Sequence, residues 1–268
     1  MSVLDPLSHT LAAVVTAAHT ALARLGADPA SGVTWVLSIV AVVVVVRVAL
    51  LPLAVHGVRQ AHAAARARPQ LTELAQRFRG RTDRESLRAF VTERRLIAAE
   101  HKLSRWSLLP LLVQLPIWLA LYHLVAQIAA GVPMGAMNLT LTASLGAATL
   151  LGVPLAERGY LGSGWTHLAV LVGLAGTAAV LSYLTQRFLV APNVVPMDVP
   201  DAMVRIQQLM PAISAMGLLV AGGVVPVALL VYWLSNSAWT LGQSAVVYRW
   251  FPTPGSPAAD RRSPPRSA

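Results

Sequence analysis

The strongest constraint on this chain is an apolar stretch long enough to cross a membrane, with an arginine inside it. The stretch runs from Val33 to Val55 and reads VTWVLSIVAVVVVVRVALLPLAV. As a helix it would rise by more than the roughly 30 Å of a hydrocarbon core. Arg47 lies eight residues before its end, where a guanidinium costs roughly 3 to more than 10 kcal/mol unless it meets water or a polar partner. Two interpretations are open: Arg47 extends to the nearer interface, or it lines a polar cavity inside the membrane.

Composition is typical of multi-pass membrane proteins. The chain is 56% hydrophobic and 12% charged, and its mean hydropathy is +0.61. The absence of Cys excludes disulfides, thiolate metal sites and cysteine nucleophiles. The sequence also lacks a phosphate-binding G-x-x-x-x-G-K-[ST] motif. No constellation of residues predicts a catalytic centre, a cofactor or a metal, so we do not expect an enzyme.

The positions of the basic residues predict the orientation of the spans. Twelve of the 21 Lys and Arg residues lie between Arg59 and Arg105, and together with five acidic residues they give this region a net charge of +7. By the positive-inside rule, five spans with the N-terminus outside and the C-terminus in the cytoplasm place the basic segments inside. The predicted segments are an N-terminal interfacial amphipathic helix (1–32), a first span (33–55), a cytoplasmic helical hairpin (56–105), a second span (106–130), an exoplasmic loop (131–164), a third span (165–187), a cytoplasmic loop (188–203), a fourth span (204–222), a fifth span (223–250) and a disordered cytoplasmic tail (251–268).

Three local patterns lead to further expectations. The N-terminal helix has an apolar stripe at helical spacing, formed by Leu7, Leu11, Val14, Ala18, Leu22 and Leu25. Thr82 and Glu85 have the spacing of a capping box and predict the start of the hairpin's second helix. The run Leu139–Val153 is too short to span, so we place it in an interfacial or re-entrant loop. The charge of the hairpin is typical of a solvated segment near anionic lipid, and it is only a weak indication of RNA binding.

Polar residues within the predicted spans form a candidate site with Arg47. Gln114 lies in the second span, and Asn236, Thr240 and Gln243 are spaced so that they share one face of the fifth. Each could simply form an interhelical hydrogen bond. Taken together with Arg47, they also fit one wall of a hydrated groove.

Three segments resemble a known family. Leu109–Tyr122 reads LPLLVQLPIWLALY; Met210-Pro211 and Val225-Pro226 precede LVYWLSN at 230–236 and Gln243; and Arg47 is followed by Leu51-Pro52-Leu53 and a charged hairpin. Together these motifs resemble the YidC/Oxa1/Alb3 membrane protein insertases, in the short form of Gram-positive and actinobacterial members. The chain departs from the family at Leu103–Leu108, where the family has an Asn-Pro and a Gly-Cys.

The resemblance implies a fold and a function. The fold is an all-α polytopic membrane protein with five transmembrane helices around a hydrophilic groove and a cytoplasmic helical hairpin. The function is insertion and folding of nascent membrane proteins in the bacterial plasma membrane, without nucleotide hydrolysis of its own. Its partners are nascent chains and the lipid bilayer; a ribosome and a Sec translocon are left open, and no specific nucleic-acid sequence is expected.

The same resemblance assigns roles to residues. Tyr232 and Trp233 match the family's substrate-contacting positions. The substrate groove would then contain Arg47, Gln114, Tyr232, Trp233, Asn236, Thr240 and Gln243. Two other hypotheses remain: a small-solute transporter that uses Arg47 as its anion site, and a structural assembly factor. A transporter would predict an internal repeat, and the sequence shows none.

Overall fold

The computed structural model describes residues 5–103, 109–161, 164–196 and 201–261. The regular secondary structure of this part of the chain is helical except for one short β-hairpin, as expected for an all-α membrane protein. The elements are α1 (Asp5–Arg24), α2 (Gly32–Ala49), α3 (Leu51–Arg77), α4 (Arg84–Glu100), α5 (Leu109–Ala129), α6 (Leu139–Ala147), β1 (Thr149–Leu150), β2 (Val153–Pro154), α7 (Trp165–Leu184), α8 (Asp201–Gly222), α9 (Val227–Trp250) and α10 (Pro257–Asp260).

The core lies at one end of the helix bundle. We call it the loop end, because α1 and the residues between α5 and α7 cover it; the opposite end, from which α3 and α4 project, is the hairpin end. On α2 the buried side chains stop at Val43 and on α9 they stop at Trp233. On α5, among the side chains described from Leu112 onward, the first buried one is Ala120. The bundle is therefore packed at the loop end and open toward the hairpin end.

Helix α1 packs into this core through a face that differs from the predicted stripe. Its buried residues are Ser8, Leu11, Ala12, Val15 and His19. His19 stacks on Trp35, with ring centroids 4.0 Å apart, and its Nε2 donates to the carbonyl oxygen of Pro29 at 3.0 Å. His19 is not part of the predicted apolar stripe, and it is buried because a stacked and hydrogen-bonded imidazole is readily accommodated in a core.

The predicted first span is divided at Leu50. Helix α2 ends at Ala49 and α3 begins at Leu51, so the first turns of α3 come from sequence that the hydropathy pattern assigns to the span. Pro52 lies in the first turn of α3, where its missing N–H would be unpaired in any case. In a continuous helix that proline would clash with the carbonyl of Val48, which accounts for the position of the break.

The loop between α5 and α7 closes the loop end. The run at 139–153 forms the nine-residue α6 and the first part of the β1–β2 hairpin, in which Leu150 pairs with Val153. The next residues cap the N-terminus of α9: the N–H groups of Val227 and Ala228 donate to the carbonyls of Glu157 and Leu155, at 3.0 and 2.9 Å. These bonds satisfy donors that a helix start leaves unpaired.

The α3–α4 hairpin agrees with the prediction in form but not at its turn. Asp83, rather than Thr82, is the N-cap of α4, and its carboxylate accepts the N–H of Ser86 at 2.7 Å. This hydrogen bond is the main reason why the pKa of Asp83 lies below its usual range. Phe78 and Phe90 meet edge to face across the hairpin at 5.8 Å. The capping-box interpretation is therefore wrong by one residue.

Two other boundaries also differ from the prediction. After α7, the chain continues as a π-helical turn, Thr185–Val190, and a 3-10 turn, Ala191–Asn193, into the predicted cytoplasmic loop. The predicted disordered tail is ordered over 251–261, where Ser256 caps α10 and the N–H of Thr253 donates to Oδ1 of Asn193 at 2.8 Å. The Pro and Ser residues that suggest disorder here form a helix start instead.

By length and hydropathy, three helical segments of the described part could cross a membrane: Gly32–Ala49, Trp165–Asn193 and Met203–Gly222. A shorter apolar segment, Leu112–Ile128, lies within α5, and α9 carries the polar ridge. Five spans and their bounds therefore stay predictions. The predicted junction at 105/106, the centre of the loop 188–203 and the end of the tail fall at least partly outside the described residues.

Candidate functional site

Arg47 contacts the polar ridge of α9. Its Nε donates to Oδ1 of Asn236 at 3.1 Å, and its Nη2 donates to that same oxygen and to Oγ1 of Thr240, the latter at 3.0 Å. Thr240 in turn donates to the backbone carbonyl of Asn236 at 2.8 Å. The helical spacing of Asn236 and Thr240 places both acceptors on the face that α9 turns toward α2.

The guanidinium has no acidic partner in the described part of the chain. The ion pairs found there join Arg77 to Glu73 and to Glu93, and Nδ1 of His167 lies 3.6 Å from Oε1 of Glu157. The contacts of Arg47 with Asn236 and Thr240 are to neutral groups, which satisfy N–H donors but do not neutralise the charge. The site therefore keeps a positive charge that can attract an anion.

A cavity of about 600 Å³ extends from Arg47 toward the hairpin end. Gln114 of α5 and Gln243 of α9 line it together with Arg47. Toward the hairpin end, the cavity is lined by Ala61 of α3 and Asn193 of the 3-10 turn. The cavity thus connects the polar cluster with the region where the charged hairpin leaves the bundle.

A second cavity, of about 310 Å³, lies on the other side of the α9 ridge. Asn236 and Thr240 line it, together with Trp233 of α9 and Trp118 of α5. Gln186 of the π-helical turn contributes a further amide. Val190 lines both cavities, so they lie next to each other on the two sides of the ridge.

Tyr232 and Trp233 lie at the boundary between this open region and the packed core. Tyr232 is 4% exposed and Trp233 is 8% exposed, and both belong to the core of the loop end. Of the predicted site residues, the structure brings Arg47, Asn236 and Thr240 into contact and places Gln114 and Gln243 in the cavity of Arg47. Trp233 faces the second cavity, and Tyr232 lines neither of the two.

The sequence prediction misses polar groups that come from the end of the third span. Ser182, Thr185 and Gln186 line the second cavity, and Asn193 lines the first. Ser182, Thr185 and Gln186 are three and one residues apart, a spacing that keeps them near one another on a helix. That spacing is visible in the sequence, but it is equally typical of the closing turn of a span.

The described residues contain no group of His, Asp and Glu side chains that could hold a metal ion. Near Arg47 the cavities present amides, hydroxyls, aromatic rings and one cation. Such groups bind and orient polar chains. They do not form the base and nucleophile pair that covalent catalysis requires.

The fold and this site together define a multi-pass helical membrane protein whose bundle is packed at one end and open, around a partly buried cation, toward the other. Comparison with known proteins gives the family. A family profile described as "60Kd inner membrane protein" matches residues 27–254. The chain belongs to this family, the YidC/Oxa1/Alb3 proteins, and is a multi-pass membrane protein.

Curated relatives with the name "Membrane protein insertase YidC" come from actinobacteria. The chain is 32% identical to the protein of Streptomyces avermitilis over 256 residues, which cover 91% of this chain and 58% of that protein. It is 25% identical to the protein of Tropheryma whipplei strain Twist over 97% of this chain and 88% of the relative. It is 24% identical to the protein of Bifidobacterium longum over 96% and 78%. The chain thus matches little more than half the length of the Streptomyces relative.

Proposed function

We propose that this protein is a membrane protein insertase, which moves short polar segments of nascent membrane proteins from the cytoplasm into the bilayer. The observation that carries the proposal is the change from packed to open structure at the level of Arg47. The family relationship and the names of the relatives support it. In this arrangement the loop end faces outward, the hairpin end faces the cytoplasm, and the two cavities are parts of one groove.

The physical problem in insertion is the cost of desolvation. A polar tail that crosses hydrocarbon loses its hydrogen bonds to water, and each unsatisfied group costs several kcal/mol. A groove that admits water as far as Arg47 shortens the dry path to the packed half of the bundle. The substrate's apolar segment then partitions sideways into lipid, and its burial supplies the driving force. This mechanism needs no nucleotide.

Arg47 and the amides have distinct roles in this mechanism. Asn236 and Thr240 hold the guanidinium in place, so that it is oriented before a substrate arrives. An acidic residue in the passing tail forms a charge-assisted hydrogen bond with it, which is stronger than a bond between neutral groups. Gln114 and Gln243 offer both donors and acceptors to the rest of the tail. Trp233 contacts the substrate from the second cavity.

Reconstitution tests this function directly. Liposomes that contain only the purified protein receive a ribosome-free, single-span substrate with a short N-terminal tail, and protease protection reports translocation of that tail. We expect protection without nucleotide and without a Sec channel. Empty liposomes and liposomes with the Arg47→Ala variant are the controls. Flux of small anions without any protection would instead indicate a solute transporter, and neither activity would indicate a structural assembly factor.

A further inference from the structure

A further groove adjoins the cavity of Arg47, with which it shares Ala54, Val58, Gln243 and Val247, but its lining is mostly apolar. It has a volume of about 730 Å³ and runs between the first three turns of α3 and the last three turns of α9. Its walls are apolar or aromatic along most of their length, and they include Leu51, Val55, Val58, Trp239, Val246 and Phe251. The volume is within the roughly 300–1,000 Å³ of sites that bind small ligands.

A single arginine defines the polar end of this groove. Arg59 lines it, is exposed, and has no hydrogen-bond or ion-pair partner within the described part of the chain. None of the described residues that line the groove is Asp or Glu. His62 lies beside Arg59 and donates from Nε2 to the carbonyl oxygen of Phe251 at 3.1 Å, which holds the end of α9 against α3. The groove thus combines a long apolar channel with one unneutralised cation at its mouth.

The surroundings of the groove indicate the interfacial region of a membrane. Trp250 and Phe251 are 66% and 55% exposed at the end of α9, and Phe251 lines the groove together with Arg59. Exposed aromatic residues at the end of a spanning helix are typical of the headgroup level. Leu51 and Val55, each 44% exposed, lie deeper along the groove. An apolar channel that is open to lipid and ends in a cation at headgroup level matches the shape and charge of a phospholipid.

We propose that this groove binds one anionic phospholipid, with an acyl chain between α3 and α9 and the phosphate at Arg59. The bound lipid covers the joint at Leu50, where α2 gives way to α3, and connects the charged hairpin to the end of α9. The proposal does not depend on the insertase function, because it rests on the apolar lining of this groove and on Arg59 rather than on Arg47.

Trp239 provides the measurement, since its indole lies in the groove. The detergent-solubilised protein is titrated with phosphatidylglycerol or phosphatidylcholine that carry identical brominated chains, and bromine quenching of Trp fluorescence is followed. The signal of Trp239 is the difference between the wild-type protein and Trp239→Phe. We expect half-quenching at a phosphatidylglycerol concentration about fivefold lower than for phosphatidylcholine, the effect of one basic residue at an anionic headgroup.

Two variants separate the headgroup contact from the acyl-chain contact. Arg59→Gln should abolish the preference for phosphatidylglycerol, whereas Arg88→Gln, which removes an exposed arginine of α4, should retain it. A Cβ on Gly242 would meet no atom within 4 Å, so Gly242→Leu should extend into the groove from an unobstructed position and reduce quenching by both lipids. Gly217 on α8 is equally unobstructed, and Gly217→Leu is the matched control, expected to behave as wild type.

Three results would overturn the proposal. The first is equal half-quenching concentrations for the two lipids in the wild-type protein. The second is a preference that survives in Arg59→Gln, and the third is quenching of Trp239 that Gly242→Leu leaves unchanged. The third result would show that lipid surrounding the protein, rather than a lipid bound in the groove, quenches Trp239. Thermal unfolding of each variant without added lipid verifies that it is folded.

Discussion

Arg47 on α2 and Asn236 on α9 are joined by a two-pronged hydrogen bond, in which Nε and Nη2 both donate to the amide oxygen Oδ1. The two residues are 189 positions apart in the chain. Their contact lies on the hairpin-end side of the last buried residues of α2 and α9, where the core ends. Asn236 is therefore both a link between α2 and α9 and the group that orients the charge of the proposed groove.

The first prediction concerns the energy of this contact. Asn236→Leu leaves the guanidinium partly buried without its main acceptor, so it should destabilise the protein more than the double variant Arg47→Leu/Asn236→Leu does. We expect a coupling energy of about 1 kcal/mol in a double-mutant cycle. Equilibrium unfolding in detergent measures it. A cycle of Arg47→Leu with Thr177→Leu, an exposed position on α7, should be additive, and an additive Arg47–Asn236 cycle would contradict the prediction.

The second prediction concerns the charge of Arg47 in insertion. Arg47→Ala should reduce insertion of substrates with acidic tails by at least roughly tenfold, because a hydrogen bond to a charged group is worth about 1.5–3 kcal/mol. Arg47→Lys should retain most of the activity, since it keeps the charge but loses the planar fork. Protease protection in liposomes measures both variants. A substrate with a neutral tail of equal length is the control, and equal, mild losses in both variants would favour an arginine that only extends to the interface.

Much of the architecture follows from the sequence for identifiable reasons. The membership of the family and the all-α class are confirmed, since hydrophobic runs and the motif around Gln114 are local signals. The spacing of Asn236 and Thr240 fixes their common face on α9. It does not say which helix that face meets, because the pairing with Arg47 depends on how α2 and α9 pack. The five-helix arrangement and the groove remain proposals.

Other features depend on tertiary contacts that periodicity does not contain. The burial of His19 requires Trp35 to stack on it and the Pro29 carbonyl to accept a hydrogen bond from its Nε2. The order of residues 251–261 requires Asn193 to accept the N–H of Thr253. Composition alone favours a polar face in the first case and disorder in the second. Both differences arise because a distant part of the chain supplies the partner.

The third prediction concerns the start of α4. Because the pKa of Asp83 lies below its ordinary value of about 3.9, its contribution to stability is present above that value and is lost as the pH falls through the lower, folded-state pKa. Asp83→Ala should accelerate amide hydrogen exchange over 84–88 at neutral pH. Asp83→Asn retains an N-cap acceptor, so its amides over 84–88 should exchange at the wild-type rate at neutral pH. Because Asn does not titrate, that rate should not increase when the pH falls. Unchanged exchange in Asp83→Ala would show that Asp83 does not cap α4 in solution.

The fourth prediction concerns a close backbone approach at the loop end, between Gly32 and Thr149. A Cβ placed on Gly32, the first residue of α2, would overlap the carbonyl oxygen of Thr149 in β1. Backbone cannot move aside as a flexible side chain can, so Gly32→Ala must shift the β1–β2 hairpin away from α2. We expect a loss of about 1–3 kcal/mol of stability, measured by unfolding in detergent. A Cβ on Gly146 in α6 would meet no atom within 4 Å, so Gly146→Ala should be neutral or slightly stabilising. If the two variants unfold alike, the hairpin does not pack on α2 as closely as this contact requires.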